Sequence, residues 1–337
     1  MKKQRIPHFL FLLFFTLSPL WGGEIVQILQ EVLPGDPLPI CLYADPSVRE
    51  VKISLWKEEG SNALLSEGKA FQVTGVQVSE VQSQGTGAQV LGGADFREEG
   101  TPWVGLLGIP SFAPPGLYRL EVRIGERSVL LPVRVLGRQF IHEEIVLNKE
   151  MSKLRTEEDT RKIAEMRELL ERVSLFNPRS LYHPKTFRLP VEGFRRTAQF
   201  GDRRKYQYAE GGAEQAIHTG IDFATPRGTP VRVTASGQVA FAGPRILTGN
   251  TVVVEHLPGV YSLYYHLDEI EVKEGDLLQE GKRIGTTGAT GLVTGPHLHW
   301  EVRVGGTPVN PDAFLRGGPL DKFFQLGETA VNSREGR

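Results

Sequence analysis

The sequence predicts a mostly β protein built in three parts: an N-terminal β-sandwich-like module, a short helical connector and a C-terminal antiparallel β domain. Three observations carry this prediction. Before residue 140, short β-branched and aromatic runs alternate with Gly/Pro turns. One later stretch switches to helical spacing, and from about Pro190 the period of two returns. The 38 glycines and 22 prolines supply the turns that many short strands need.

Residues 1–23 read as a secretory leader. Met1 to Arg5 is basic, Phe9 to Leu17 is almost wholly apolar, and Ser18-Pro19 breaks the run. Such a run is too short for a stable transmembrane helix and suits the apolar region of a secretory signal, with an uncleaved anchor as the alternative. No other segment is apolar enough to cross a membrane, so the mature chain is expected to have no membrane span. Residues 24–136 form the first β module. "VREVKISLW" and "LYRLEVRI" alternate with period two, and "SFAPPG" is a turn feeding a strand. Regular short strands of this kind suggest an immunoglobulin-like sandwich. Residues 137–189 form the connector, with one amphipathic helix in "TEEDTRKIAEMRELLERVSLF". Ile163, Met166, Leu169, Leu170 and Val173 fall at helical spacing, Thr156 suits the start, and Asn177-Pro178 stops the chain. That stripe is expected to pack against a neighbour. Residues 190–317 form the second β domain, and the polar tail, 318–337, is expected to fray.

Charge excludes some partners. The 39 basic residues nearly balance the 40 acidic ones, so no basic field is present for nucleic acid. Cys41 is the single cysteine, which rules out an intrachain disulfide; in "LPICLYA" it reads as a small buried hydrophobe.

The chemistry concentrates in the second β domain. "HTGID" sets His218 and Asp222 four residues apart, and "GPHLHWEVRVGG" sets His297 and His299 two apart. On extended chain, both pairs share a face. If the two segments are neighbouring strands, two imidazoles and a carboxylate converge with a third imidazole beside them. Two His and one carboxylate form a common catalytic zinc set with an open fourth position. His142, His183 and His256 read as surface or satisfied core residues. "HEE" at His142 lacks the second His that a zinc-protease helix needs, since Val146 stands there. "GTTGATG", from Gly285 to Gly291, lacks the ending of a phosphate loop and reads as a flexible loop beside the site.

Taken together, "HTGIDFATPRGTPV" and "GPHLHWEVRVGG" resemble the two signature segments of the M23 metallopeptidases, of lysostaphin and LytM type. "FRRTAQFGDRR", "ASGQVAFAG", "GNTVVVEH", "YSLYYHL" and "VKEGDLLQEGKRIGTTGATG" are similar to the family as well. The resemblance covers about Pro190 to Phe314. Residues 24 to 185 are more loosely similar to β-rich regions that precede this domain in some exported members.

The resemblance implies a compact antiparallel β metallopeptidase domain with a groove and one Zn2+ per chain, held by His218, Asp222 and His299. It implies His297 as the general base toward the attacking water and His266 as a group that orients or protonates the reacting atoms. The implied substrate is peptidoglycan, at peptide cross-links or stem peptides, in the periplasm or elsewhere in the cell envelope. Residues 24–136 are a candidate surface for an envelope protein partner. Two rival readings follow from the same resemblance: a LytM-like regulator that binds a cell-wall amidase, expected to lack metal ligands, and an endopeptidase acting on secreted proteins. "YQYAEGGAEQAIHTG" is longer than a minimal version of this segment and is expected to wall the groove. Some members are inhibited by an upstream ligand to zinc; in residues 137–189, Asn177 and His183 are the residues to consider. Because all proposed ligands follow Pro190, a chain from Pro190 to Arg337 is expected to bind zinc and cleave.

Overall fold

A computed structural model of the chain describes residues 25–58, 63–73, 77–78, 88–91, 101–180, 186–317 and 324–325. The leader, His183 and most of the tail lie outside these residues. The first module contains β1 (Ile25–Leu29), β2 (Glu31–Val32), β3 (Pro37–Ala44), β4 (Val51–Lys57), β5 (Leu64–Gln72), β6 (Gln77–Val78), β7 (Ala88–Leu91), β8 (Thr101–Gly108), β9 (Gly116–Ile124) and β10 (Arg127–Val135). Nine of them form one sheet in the order β2-β10-β9-β4-β5-β8-β3-β1-β7. β1 and β2 are consecutive in the chain yet lie toward opposite ends of that order, so the sheet curls round a single core. Alternation fixes which side faces in: Tyr118, Leu120, Val122 and Ile124 of β9 meet Val129, Leu131, Val133 and Val135 of β10 in that core. Cys41 is buried, which raises its thiol pKa to about 12.

The connector holds β11 (His142–Val146), α1 (Lys149–Thr156) and α2 (Thr160–Val173). The connector therefore holds two helices: α2 is the expected one, and α1 precedes it. Thr156 ends the first instead of starting the second, because Asp159 takes an extended backbone and its side chain accepts the Arg161 N–H as the N-cap of α2. The expected stripe also divides. Leu169 and Val173 pack on Val253, Tyr261, Leu263 and Tyr265, whereas Ile163, Met166 and Leu170 stay exposed. The strand β11 carries only five residues and was not legible as one.

The second domain contains β12 (Arg195–Ala198), β13 (Arg203–Gln207), β14 (Ala213–Ile217), β15 (Gly220–Ala224), β16 (Pro230–Arg232), β17 (Gly237–Arg245), β18 (Gly249–Leu257), β19 (Val260–Ile270), β20 (Leu277–Leu278), β21 (Arg283–Thr287), β22 (His297–Val304), β23 (Thr307–Val309) and α3 (Asp312–Leu315), and β24 (Phe324–Gln325) follows in the tail. Its main sheet runs β12-β15-β22-β19-β18-β17-β20. A separate three-stranded sheet, β11-β13-β14, joins the connector strand in parallel to the hairpin β13–β14. β24 pairs with β6, so this part of the tail is held to the first module.

β18 and β19 are buried along nearly their whole length because both faces are covered. Val252, Val254 and Tyr264 face the main core, and Val253, Leu263 and Tyr265 face α2. The main core also draws in Cys41, Phe71, Val73, Val104 and Leu106 of the first module. Gly108 sits against Thr307 and Val304, with no room for a side chain between them.

Candidate metal centre

The two histidine segments are adjacent strands. β15 and β22 pair antiparallel, with Asp222 directly opposite His299 and Ala224 opposite His297. Ile221, Phe223, Leu298 and Trp300 point to the other face and fill the main core. Burial of the apolar residues thus forces the polar set onto the opposite face.

Three donor atoms meet there. His218 Nε2 lies 3.0 Å from Asp222 Oδ1 and 3.0 Å from His299 Nδ1, and His299 Nδ1 lies 2.9 Å from Asp222 Oδ1. All three residues are buried. His218 Nδ1 donates to the Gln199 carbonyl at 2.7 Å, which leaves the Nε2 lone pair for the cluster. Tetrahedral zinc at bond lengths of about 2.0–2.1 Å holds its donors roughly 3.3 Å apart, so a slight expansion of this triangle admits the ion. Two nitrogen donors and one carboxylate suit zinc in softness as well. The residues fit the metal.

The charges in the cluster suit a cation. Burial works against ionised Asp222, but His218 and His299 outweigh it and hold the carboxyl well below its ordinary range. Burial lowers His218 despite Asp222. Burial likewise opposes charge on His299, yet Asp222 and Glu301 prevail and push its pKa up to about 9. Without metal, His299 carries the proton that a cation would replace.

Two further imidazoles stand at the rim. His297 Nδ1 donates to the Gly295 carbonyl at 2.8 Å, and its Nε2 lies 3.8 Å from Asp222 Oδ1. His266 Nδ1 donates to the Thr290 carbonyl at 2.9 Å. The two rings have centroids 4.8 Å apart. Each therefore keeps Nε2 as an acceptor. Burial, followed by the neighbouring His297 and His299, pushes the His266 pKa down to about 3, so its imidazole is neutral. His266 is also the one non-glycine residue with positive φ, 63°, among the described residues. Such a backbone persists where its surroundings hold it. Its N–H donates to Thr248 O, and the "GTTGATG" segment supplies Thr290 O. That segment is packed, not loose: a side chain at Gly249 would strike Thr290, and one at Gly291 would strike Gly249.

Sequence reasoning placed His218, Asp222, His266, His297 and His299, and the structure brings all five together. It did not find their supports. On β22, period two continues from His299 to Glu301 and Arg303. Glu301 accepts from Arg303 Nε at 2.6 Å and from Thr219 Oγ1 at 3.2 Å, and its Oε2 lies 3.7 Å from His299 Nε2. Burial opposes its charge, but Arg303 and His299 lower its pKa to about 2. Tyr265 stacks flat on His299, 5.1 Å between centroids and 6° between planes. Gly220 leaves room for that imidazole, since a Cβ there would lie 2.7 Å from His299 Nε2. The alternation in "HLHWEVRV" held the signal for Glu301 and Arg303.

The other histidines are accounted for differently. His142 is exposed on β11, and His256 is buried with Ser236 O at 2.9 Å and Ser262 Oγ at 2.7 Å. Asn177 is exposed, and its side chain accepts the Arg179 N–H.

Comparison with known proteins agrees with this site. The family model described as peptidase family M23 matches residues 216–311, which contain all five residues. Over 95 residues, 28% of this chain and 22% of the relative, the chain is 50% identical to the DD-carboxypeptidase/endopeptidase Mpg of Neisseria meningitidis. Over 143 residues it is 42% identical to the peptidoglycan DD-endopeptidase ShyB of Vibrio cholerae, covering 42% of this chain and 32% of that one. The chain thus spans less than a third of the length of these curated relatives. A crystal structure of a Pseudomonas aeruginosa protein described as an M23 peptidase aligns with 84% of this chain and 94% of its own, at TM-score 0.53 and 26% identity. The signature segments, the paired strands that carry them and these likenesses agree: residues 216–311 match peptidase family M23.

Proposed function

We propose that the protein is an exported, zinc-dependent endopeptidase that hydrolyses peptide cross-links or stem peptides of peptidoglycan in the periplasm or cell envelope. The observation that carries the reading is the triangle of His218 Nε2, Asp222 Oδ1 and His299 Nδ1, with the imidazoles of His266 and His297 at its rim. The basic and apolar N-terminus supports export, and the named activities of Mpg and ShyB support the substrate class. Among the described residues, no helix is long and apolar enough to cross a membrane.

Zinc in this position would supply Lewis acidity to a peptide carbonyl and make water a nucleophile near neutral pH. The chain's own residues divide the remaining work. His218, Asp222 and His299 hold the metal. His297, with Nδ1 committed to Gly295 O, takes the proton of the attacking water at Nε2. His266, fixed by Thr290 O, accepts at Nε2 and orients the reacting groups. A positioned base of this kind typically contributes 10²–10⁴-fold.

The test is digestion of purified peptidoglycan by the full chain, with peptide fragments identified by mass spectrometry and zinc measured on the same preparations. Cross-linked peptides should be opened only by zinc-loaded protein. His299→Ala should lose zinc. His297→Ala and His266→Ala should keep zinc and lose most turnover. A His297→Ala protein with normal rate would remove that residue from the mechanism, and a wild-type chain without zinc or cleavage would overturn the proposal.

A further inference from the structure

Asp222 has a second oxygen that the metal site does not use. Oδ1 faces His218 and His299, but Oδ2 accepts from Arg204 Nη2 at 2.8 Å. Arg204 lies on β13, in the lengthened hairpin beside the site. Its Nε donates to Glu143 Oε1 at 2.6 Å, and Glu143 lies on β11, where the parallel register sets it directly beside Arg204. The side chains of Arg204 and Asp222 are 14% and 9% exposed, so water screens this pair little. Glu143 is 33% exposed and forms the outer end of the chain.

We infer that Arg204 is a positioning residue for Asp222: it engages one carboxylate oxygen so that the other alone serves the metal, and Glu143 sets the guanidinium in place. The inference rests on the proposed zinc site. A carboxylate can bind zinc through one oxygen or two, and nothing else observed on Oδ2 chooses between them. The Arg204 fork makes that choice by geometry, because Nε and Nη2 lie on one planar group and grip two acceptors in fixed directions. Glu143 also balances the positive charge that Arg204 brings toward a cation site. The connector strand is thus tied to a metal ligand through two charge-assisted hydrogen bonds. Outer partners that fix a ligand are typically worth 10–100-fold in metal affinity.

The experiment compares zinc affinity, by competition with a chelator, in the full wild-type chain and in Arg204→Ala, Arg204→Lys, Glu143→Gln and the double variant Glu143→Gln/Arg204→Ala, with thermal melting of each metal-free protein. Arg204→Ala should weaken zinc about 10–100-fold. Arg204→Lys, which keeps charge but loses the fork, should recover only part of it. Glu143→Gln should weaken zinc less than Arg204→Ala, and the double variant should be no worse than Arg204→Ala. Unchanged or tighter zinc binding in Arg204→Ala overturns the inference, as does a loss confined to melting temperature. Should Arg204→Ala fail to fold, Arg204→Lys and Glu143→Gln decide: wild-type affinity in both refutes the positioning role. A wild-type chain that binds no zinc refutes the metal site itself instead.

Discussion

Gly220→Ala is a one-carbon test of how the metal centre is built. Gly220 lies opposite Glu301 in the β15–β22 ladder, between the proposed ligands His218 and Asp222. Its Cβ would lie 2.4 Å from Trp300 O and 2.7 Å from His299 Nε2, inside the 3.0 Å that real Cβ contacts keep. The first of these is backbone in a paired strand, so it does not swing aside. β15 and β22 must separate by roughly half an ångström, and His299 must move with them. Overpacking of this kind costs about 1–3 kcal/mol. Metal bonds tolerate only about 0.2 Å of misplacement, so zinc affinity should fall together with stability, by about 10–100-fold if the displaced ligand behaves like other disturbed supports. Melting of the metal-free protein reads the first effect and chelator competition the second. Gly137→Ala is the control, since its Cβ would meet only Pro115 Cγ, at 3.9 Å. A Gly220→Ala protein with wild-type melting and wild-type zinc affinity would refute the claim that this glycine makes room for the ligand.

Two other outcomes follow from the same geometry. Because the His299 pKa without metal is raised to about 9, zinc must displace its proton at pH 7. Affinity should rise about tenfold per pH unit from pH 6 toward 9 and then level, with about one proton released per ion, measured by calorimetry in buffers of different ionisation enthalpy; pH-independent binding between 6 and 8 would contradict this. A chain cut to residues 190–337 should melt lower and bind zinc more weakly than the full chain, since it uncovers core residues shared with the first module and loses Glu143; equal affinity in both would show that the upstream part is dispensable.

The site was legible where its residues are local in sequence. His218 and Asp222 share one segment and His297 and His299 another, and period two alone placed each pair on a face. Strand alternation likewise revealed β9, where every second residue from Tyr118 to Ile124 is buried. What stayed hidden depends on pairing between distant strands. Nothing in "IHEEIV" announces that it runs parallel to Arg203–Gln207 or that Glu143 meets Arg204 there. The helix break was missed for a different reason. Glu157 and Glu158 are good helix formers, so only the capping geometry of Asp159 shows where the second helix starts. The exposed Ile163, Met166 and Leu170 show the limit of apolar spacing, which gives a helix its stripe but not the breadth of its partner.

The first module reads from sequence as a region without chemistry, yet it reaches His218 of the proposed metal site through the loop at residues 199–203. Gln199 O holds His218 Nδ1, Gly201 N–H donates to His218 O at 2.8 Å, and His218 N–H donates to Asp202 O at 2.8 Å. The same loop is clasped from the module side. Arg203 donates to Ser111 O at 2.7 Å, and Phe200 lies flush against Gly35, where a Cβ would come within 2.3 Å of the ring. Gly35 O in turn accepts from Asn310 N, and Arg138 and Asn310 both reach Asp36 Oδ1. These contacts surround the one loop that fixes both the tautomer and the backbone of His218. A ligand placed by a loop is only as well placed as the loop, and here that loop is pinned between two parts of the chain. The dependence of His218 on Ser111 and Gly35 is a physical reason for the module to be packed into the peptidase core, whatever surface its outer face offers to other proteins.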